Sequence, residues 1–358
     1  MDTSQEYAEA RWLPAGDSHC GCTKLRAGLR SLKYIPTSDF TVSPGFFCDE
    51  APKIDELMGR MFGEKVFAVN LPVDEMFDDD PMRSHKMQLL AENLEAMRME
   101  VSEVLGFELT DEMVKTNLTY WMTLVMGLGE IIEMRARAEV QPMREASFSM
   151  LYMYVMFNKG LDDVETISTV FELLKMEMQE KIVKGQGITP KGAPRLLIVT
   201  AAGGGCPFAT PEITYELEAS GINICVKEDY GDTYAAAAGE EQAAIFEQAT
   251  GIQLAAMGML MAATTYPKRR IENVINGYRN SDLNLDGILL WAYYGCRTLC
   301  GPTNLIKDGI IKELGPNEPV SVIEVDYLDH RYHGIEQLRT RLQTFADVLH
   351  IHHAGKKS

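Results

Sequence analysis

No stretch of this 358-residue sequence holds the roughly 18 consecutive apolar residues that a helix needs to cross a bilayer, so no membrane partner is expected. The opening residues, MDTSQEYAEARW, are polar and acidic where a secretory signal has a basic start and an apolar centre. The chain is therefore expected to stay in the cytoplasm. Positive charge is scarce: 34 Lys and Arg stand against 52 Asp and Glu, a net charge of −18 at pH 7. Nucleic acid and anionic membranes demand a basic patch, and this balance argues against both. A small anionic ligand held by a few local Lys and Arg side chains or by helix N-termini remains compatible with it. No C-x-x-C pair occurs, which leaves zinc ribbons and thioredoxin-type redox centres with little support. A clean G-x-G-x-x-G is also missing, so a dinucleotide site is weakly supported.

What is present describes a globular protein, 46% hydrophobic and 24% charged, long enough for two domains of ordinary size. Seven cysteines, an odd number in a reducing compartment, point to metal or redox duty rather than disulfides. The 21 methionines, scattered along helical stripes, read as core filling. The stretch around which the chain is organised is LDGILLWAYYGCRTLCGPTNL, residues 285–305. Its apolar run Ile288-Leu289-Leu290-Trp291-Ala292 has the length of a fully buried strand. Cys296 and Cys300 follow it, in the position where open α/β sheets put their chemistry. The competing reading is a pair of core thiols, because free cysteine packs like a small hydrophobe.

Residues 1–19 carry little pattern and suggest an arm or a short helix. His19-Cys20-Gly21-Cys22 then precedes a helix start at Thr23-Lys24-Leu25. A second thiol, Cys48, follows the strand-like Phe46-Phe47 and precedes Pro52-Lys53-Ile54, a helix opened by acidic residues and proline. Residues 66–72 read as another strand. From Arg83 to Lys184 long amphipathic helices take over, with Met87, Leu90, Leu94, Met97, Val101 and Leu105 at three- and four-residue steps. Gly106 breaks that pattern, and Thr110-Asp111-Glu112 looks like the next cap. Charged residues on these helices read as solvated surface.

Strands are expected at 196–200, 223–227 and 320–325, with helices after the glycine loop that contains Cys206-Pro207, over roughly 239–263 and 271–278, and from about 335 to 349. Lys268, Arg269 and Arg270 form the one dense basic run, either phosphate-pairing or a solvated helix start. Alternating strands and helices imply parallel, doubly wound sheets. The expected fold is thus α/β: two Rossmann-like parallel-sheet domains with an intervening helical region. The boundaries fall at 1–82 for an N-terminal thiol-bearing segment, 83–190 for the helices and 191–358 for the C-terminal domain.

An iron–sulfur cluster suits widely separated cysteines, because its thiolates converge from corner loops. Cys22, Cys48 and Cys296 stand out as such corners. At these residues the sequence resembles the 2-hydroxyacyl-CoA dehydratase family, which includes benzoyl-CoA reductase-type subunits. The likeness runs from about Leu13 onward, through Cys22-Thr-Lys-Leu-Arg, Cys48-Asp49, Gly205-Cys206-Pro207, the segment from Asp286-Gly287-Ile288 to Gly295-Cys296, Glu324-Val325-Asp326 and Gln337-Leu338-Arg339-Thr340-Arg341-Leu342.

The resemblance implies a [4Fe–4S] cluster held by Cys22, Cys48 and Cys296, with Cys206, Cys300 and Cys20 as secondary candidates. It implies one iron open to a small ligand or substrate. It also implies an acyl-CoA substrate, a homologous second subunit or a second copy of the chain, and an ATP-dependent iron–sulfur activator that injects a low-potential electron. In such proteins the electron reaches the thioester carbonyl and the β-hydroxyl is expelled; reductive members instead add electrons to an activated ring. Two departures qualify the likeness. Only about twenty residues precede the first ligand, where the family has a further segment that helps form the substrate pocket, so the chain is expected to be the partner subunit of a heterodimer or a shortened homologue. Four cysteines are surplus to a three-ligand cluster. Alternatives are a non-catalytic electron relay, a double-cubane reductase of small molecules, and a metal-free Rossmann-like binding protein.

Overall fold

The computed structural model describes residues 2–11, 13, 19–44, 50–69, 83–157, 164–200, 211–227, 248–262, 267–280, 282–293, 301–325 and 334–357. Within them the chain runs α1 (Asp2–Arg11), α2 (Gly21–Ser31), β1 (Phe40–Pro44), α3 (Glu50–Phe62) and β2 (Lys65–Val69). The helices α4 (Arg83–Leu105), α5 (Asp111–Arg137), α6 (Glu145–Phe157) and α7 (Val164–Val183) follow. The C-terminal part is β3 (Arg195–Thr200), α8 (Pro211–Ala219), β4 (Asn223–Lys227), α9 (Gly251–Ala262), α10 (Pro267–Arg279), β5 (Gly287–Tyr293), α11 (Thr303–Leu314), β6 (Val320–Val325) and α12 (Ile335–Lys357).

This is an α/β protein with parallel sheets. Among the described residues, β1 and β2 form a parallel pair, and a second sheet has the order β4-β3-β5-β6. Both central strands are apolar on their two faces, as strands covered by helices on both sides must be. All seven residues of β5 are buried. Its pleat divides the core into two layers. Leu289, Trp291 and Tyr293 point to one side with Leu196, Ile198, Ile323 and Val325, under α8 and α12. Ile288 and Leu290 point to the other with Leu197, Val199 and Cys225, under α10 and α11.

The first of these layers also receives the N-terminal segment. Cys20 belongs to it and Leu25 packs against it, so α2 docks on the face of the sheet to which Tyr293 points. A third core group, Ala8, Leu13, Ala27, Ile54 and Met58, joins α1, α2 and α3. Gly28 lets α1 and α2 touch: a Cβ there would stand 1.8 Å from the carbonyl oxygen of Ser4. Lys24, 1% exposed, bridges the same two helices through an ion pair with Glu9 at 2.9 Å.

The helices α5, α6 and α7 build their own core around Leu128, Ile131, Phe148 and Phe171. The expected cap is present, with Thr110 Oγ1 accepting from the Met113 N–H. Gly106 ends α4 at a φ of +73, a left-handed conformation that suits glycine. Two expectations for this region are corrected. Leu105, assigned to the buried stripe, is exposed in the last turn of α4. Not all helix charges are solvated: Arg135 and Glu145 form a buried pair at 2.5 Å, with the guanidinium over the Phe148 ring.

Polar groups fasten these helices to the sheet. Arg195, at the start of β3, donates to the carbonyls of Leu283, Ala138 and Ala136. Glu218 on α8 accepts from Gln141, Arg144 and the Glu145 N–H. At the strand starts, Asp286 accepts from the Arg195 N–H at 2.9 Å and pairs with His353 of α12 at 2.8 Å. The opposite edge, where the strands end, is left for the thiol corner.

Candidate functional site

The first turn of α2 lies beside the end of β5 and the beginning of α3. Cys20 is its N-cap residue, with the extended backbone (φ −70, ψ 156) that starts a helix. A thiol is a weak capping group, and Cys20 makes no capping bond to a backbone donor. The donors of the turn are met from elsewhere. The Cys20 N–H donates to Glu50 Oε2 at 3.2 Å, and the Thr23 hydroxyl donates to the same oxygen at 3.2 Å. The Cys22 N–H donates to the Tyr293 hydroxyl at 3.0 Å. From behind, Gln5 Nε2 of α1 donates to the Gly21 carbonyl at 3.2 Å.

Glu50 is the first residue of α3 and stands two positions after Cys48; Tyr293 is the last residue of β5 and stands three before Cys296. Residues 30 and 271 positions apart are thus hydrogen-bonded around one helix start.

The described thiols differ sharply. Cys22 is exposed on the first turn, where the helix dipole favours negative charge. Cys20 is turned inward against the sheet, and burial pushes its thiol up to about 12; its Sγ lies 3.2 Å from Thr23 Oγ1. With Thr23 donating to Glu50, the thiol is the donor in that pair. Cys225, on β4, is sealed in the second core layer, and burial pushes its thiol up to about 11. Protonated, desolvated thiols are poor metal ligands, because the thiolate is the binding form.

Of the three expected ligands, Cys22 is described, and its exposure and helix-start position suit an anionic inorganic group. Cys48 and Cys296 lie outside the described residues, as do Cys206 and Cys300. Among the described residues no group of three His, Cys, Asp or Glu side chains is arranged to hold a metal ion. Any such donor set therefore has to draw on residues beyond them. No helix among the described residues is long and apolar enough to cross a membrane. Of the basic run, Arg270 is buried within α10 while Lys268 is exposed.

Sequence reading gave no role to Glu50, Thr23 or Tyr293. The available signal was slight: an acidic residue two positions after Cys48, and an aromatic residue with a polar tip closing an apolar run.

Parallel α/β architecture, with a thiol-bearing helix start hydrogen-bonded to Glu50 and to Tyr293 at the end of β5, belongs to the class of open α/β folds whose ligands bind at the C-terminal edge of the sheet. The sequence narrows that class. A family model described as 2-hydroxyglutaryl-CoA dehydratase, D-component, matches residues 2–349, and the chain belongs to this family. It is a 2-hydroxyacyl-CoA dehydratase-type component. No curated protein sequence matches the chain.

Proposed function

We propose that the chain is the iron–sulfur component of a 2-hydroxyacyl-CoA dehydratase-like or acyl-CoA reductase-like enzyme, with Cys22, Cys48 and Cys296 holding one [4Fe–4S] cluster. The observation that carries this reading is the pair of hydrogen-bonded contacts joining the Cys22 turn to Glu50 and to Tyr293. Covalent geometry keeps the Cα of a residue two positions away within about 7 Å, and three positions away within about 11 Å. Chain connectivity from Glu50 and Tyr293 therefore leaves Cys48 and Cys296 within reach of a shared centre beside Cys22. A thiolate at a helix start adds a favourable dipole for an anionic cluster.

When bound, such a cluster with one iron free of protein cysteine supplies a low-potential electron and a Lewis-acid position for a thioester oxygen. The chain's own residues position it. Glu50 joins the second corner to the first, Tyr293 joins the third, and Cys20 and Cys225 are packing thiols. The proposal includes an acyl-CoA substrate, a homologous second subunit or a second copy, an ATP-dependent activating protein and a cytoplasmic, oxygen-free setting. It also includes the division into two Rossmann-like units, 1–82 and 191–358, around the helices of 83–190.

The test is anaerobic purification with iron and sulfide analysis, where about four of each per chain are expected for one cubane. Cys22→Ser, Cys48→Ser and Cys296→Ser should each lose the cluster, whereas Cys225→Ala should keep it. A full cluster in all three serine variants, or a colourless wild-type protein after anaerobic reconstitution, would overturn the assignment.

A further inference from the structure

At an ordinary helix N-terminus the first N–H groups have no partner within the helix and bind whatever anion or water lies ahead of them. In α2 two of these donors are consumed by side chains from the other corners. The Cys20 N–H goes to Glu50, and the Cys22 N–H goes to the Tyr293 hydroxyl at 3.0 Å. The second is the more telling, because Cys22 is the residue whose thiolate would face the iron. Its own N–H is taken by the Tyr293 phenol, 7% exposed, at the end of a wholly buried strand.

Hydrogen bonds to the sulfur atoms are one of the levers that set an iron–sulfur potential. An N–H···S bond stabilises the more negatively charged reduced state and so raises the potential. A helix start with its donors free would therefore work against a cluster that has to give up an electron at low potential. We propose that Tyr293 is a positioning residue that keeps the potential low by withholding the Cys22 N–H from the sulfur atoms at this corner. This rests on Cys22 being a ligand, as proposed above. The phenol suits that role, since it accepts the N–H and β5 fixes its position.

The experiment compares anaerobic full-length wild type, Tyr293→Phe and Thr23→Val by redox titration followed by EPR. Phe keeps the ring in its core layer and removes the hydroxyl that accepts from Cys22, so the iron content should hold. The one-electron equilibrium should shift toward the reduced form by about tenfold, equivalent to 59 mV upward. Pulsed EPR in H2O and D2O should then reveal an exchangeable proton coupled to the cluster that wild type lacks. Thr23→Val breaks the Thr23–Glu50 bond in the same turn without releasing the Cys22 N–H. It should lower thermal stability and leave the potential in place.

An unmoved or lowered potential in Tyr293→Phe, an equal rise in Thr23→Val, or loss of the cluster from Tyr293→Phe alone would overturn the inference while leaving the ligand assignment standing. A wild-type protein that assembles no cluster would overturn both.

Discussion

Cys225 offers a sharp quantitative test of the fold. Its side chain lies in the layer beneath α10 and α11, with Sγ donating to the Asn223 carbonyl at 3.4 Å. Burial raises its pKa from 9.0 to about 11, against a smaller opposing pull from the positive charges of Arg195 and Arg135. At pH 8 the thiolate fraction is then ~10⁻³, against ~10⁻¹ for a thiol at the reference value, a deficit of about a hundredfold before access is considered. Folded protein prepared without any cluster, treated with iodoacetamide at pH 8 and mapped by peptide mass, should therefore alkylate exposed Cys22 readily and buried Cys225 at least ~100-fold more slowly than a thiol at the reference value. In denaturant the two should converge. Labelling of Cys225 within a few-fold of Cys22 under native conditions would refute the packing of β4 described above. The sign of the linked pH effect follows. The folded state holds a proton that the unfolded state has lost between pH 9 and about 11, so the stability present below pH 9 falls through that window. The loss is on the order of 1.4 kcal/mol per pH unit, and Cys225→Ala should show a shallower alkaline decline.

Two further substitutions probe the supports of the site. Gly28→Ala would drive a Cβ into the Ser4 carbonyl, so α1 must leave α2; limited proteolysis should cut ahead of residue 19 in the variant and not in wild type. Glu218→Gln keeps an oxygen for the Gln141 and Glu145 donors and gives up the contact with half-exposed Arg144, so its cost at pH 7 should be about 1 kcal/mol in urea unfolding. Burial raises the Glu218 pKa, so wild type loses stability as pH rises from the ordinary carboxylate range, and the difference between the two proteins should shrink in the same direction.

The strands of the large sheet were legible because each is a short apolar run bounded by turn residues, and 196–200, 223–227 and 320–325 coincide with β3, β4 and β6 apart from one residue at the start of β3. β1 was not legible. Phe40-Thr-Val-Ser-Pro carries no clean alternation, and its Val42 is exposed. The strand end expected at Phe46 and Phe47 lies outside the described residues. Helix periodicity located α4 but could not show that Leu105 sits past the packed part of the stripe. Nor could it separate buried charge from solvated charge. Arg135 and Glu145 look like any surface pair until α6 folds back on α5, and only then do the two side chains, 2% and 1% exposed, find each other.

The same limit governs the site, and it has a physical consequence. A cysteine can be singled out by residue type, but Glu50 and Tyr293 acquire meaning only when their elements meet α2. Tyr293 is 271 residues from its partner, and closing a segment of that length brings an entropic cost that one hydrogen bond of about 1 kcal/mol cannot offset. What holds the corner closed is the apolar layer shared by Cys20, Leu25, Trp291, Tyr293 and α12. The site is therefore a product of the docking between the N-terminal helices and the C-terminal sheet. If the proposed cluster is present, its absorbance and the far-UV circular dichroism should disappear together in one transition under anaerobic urea titration. Loss of the cluster well before the sheet unfolds would mean that the corner is held by local contacts and that the shared layer contributes little to it.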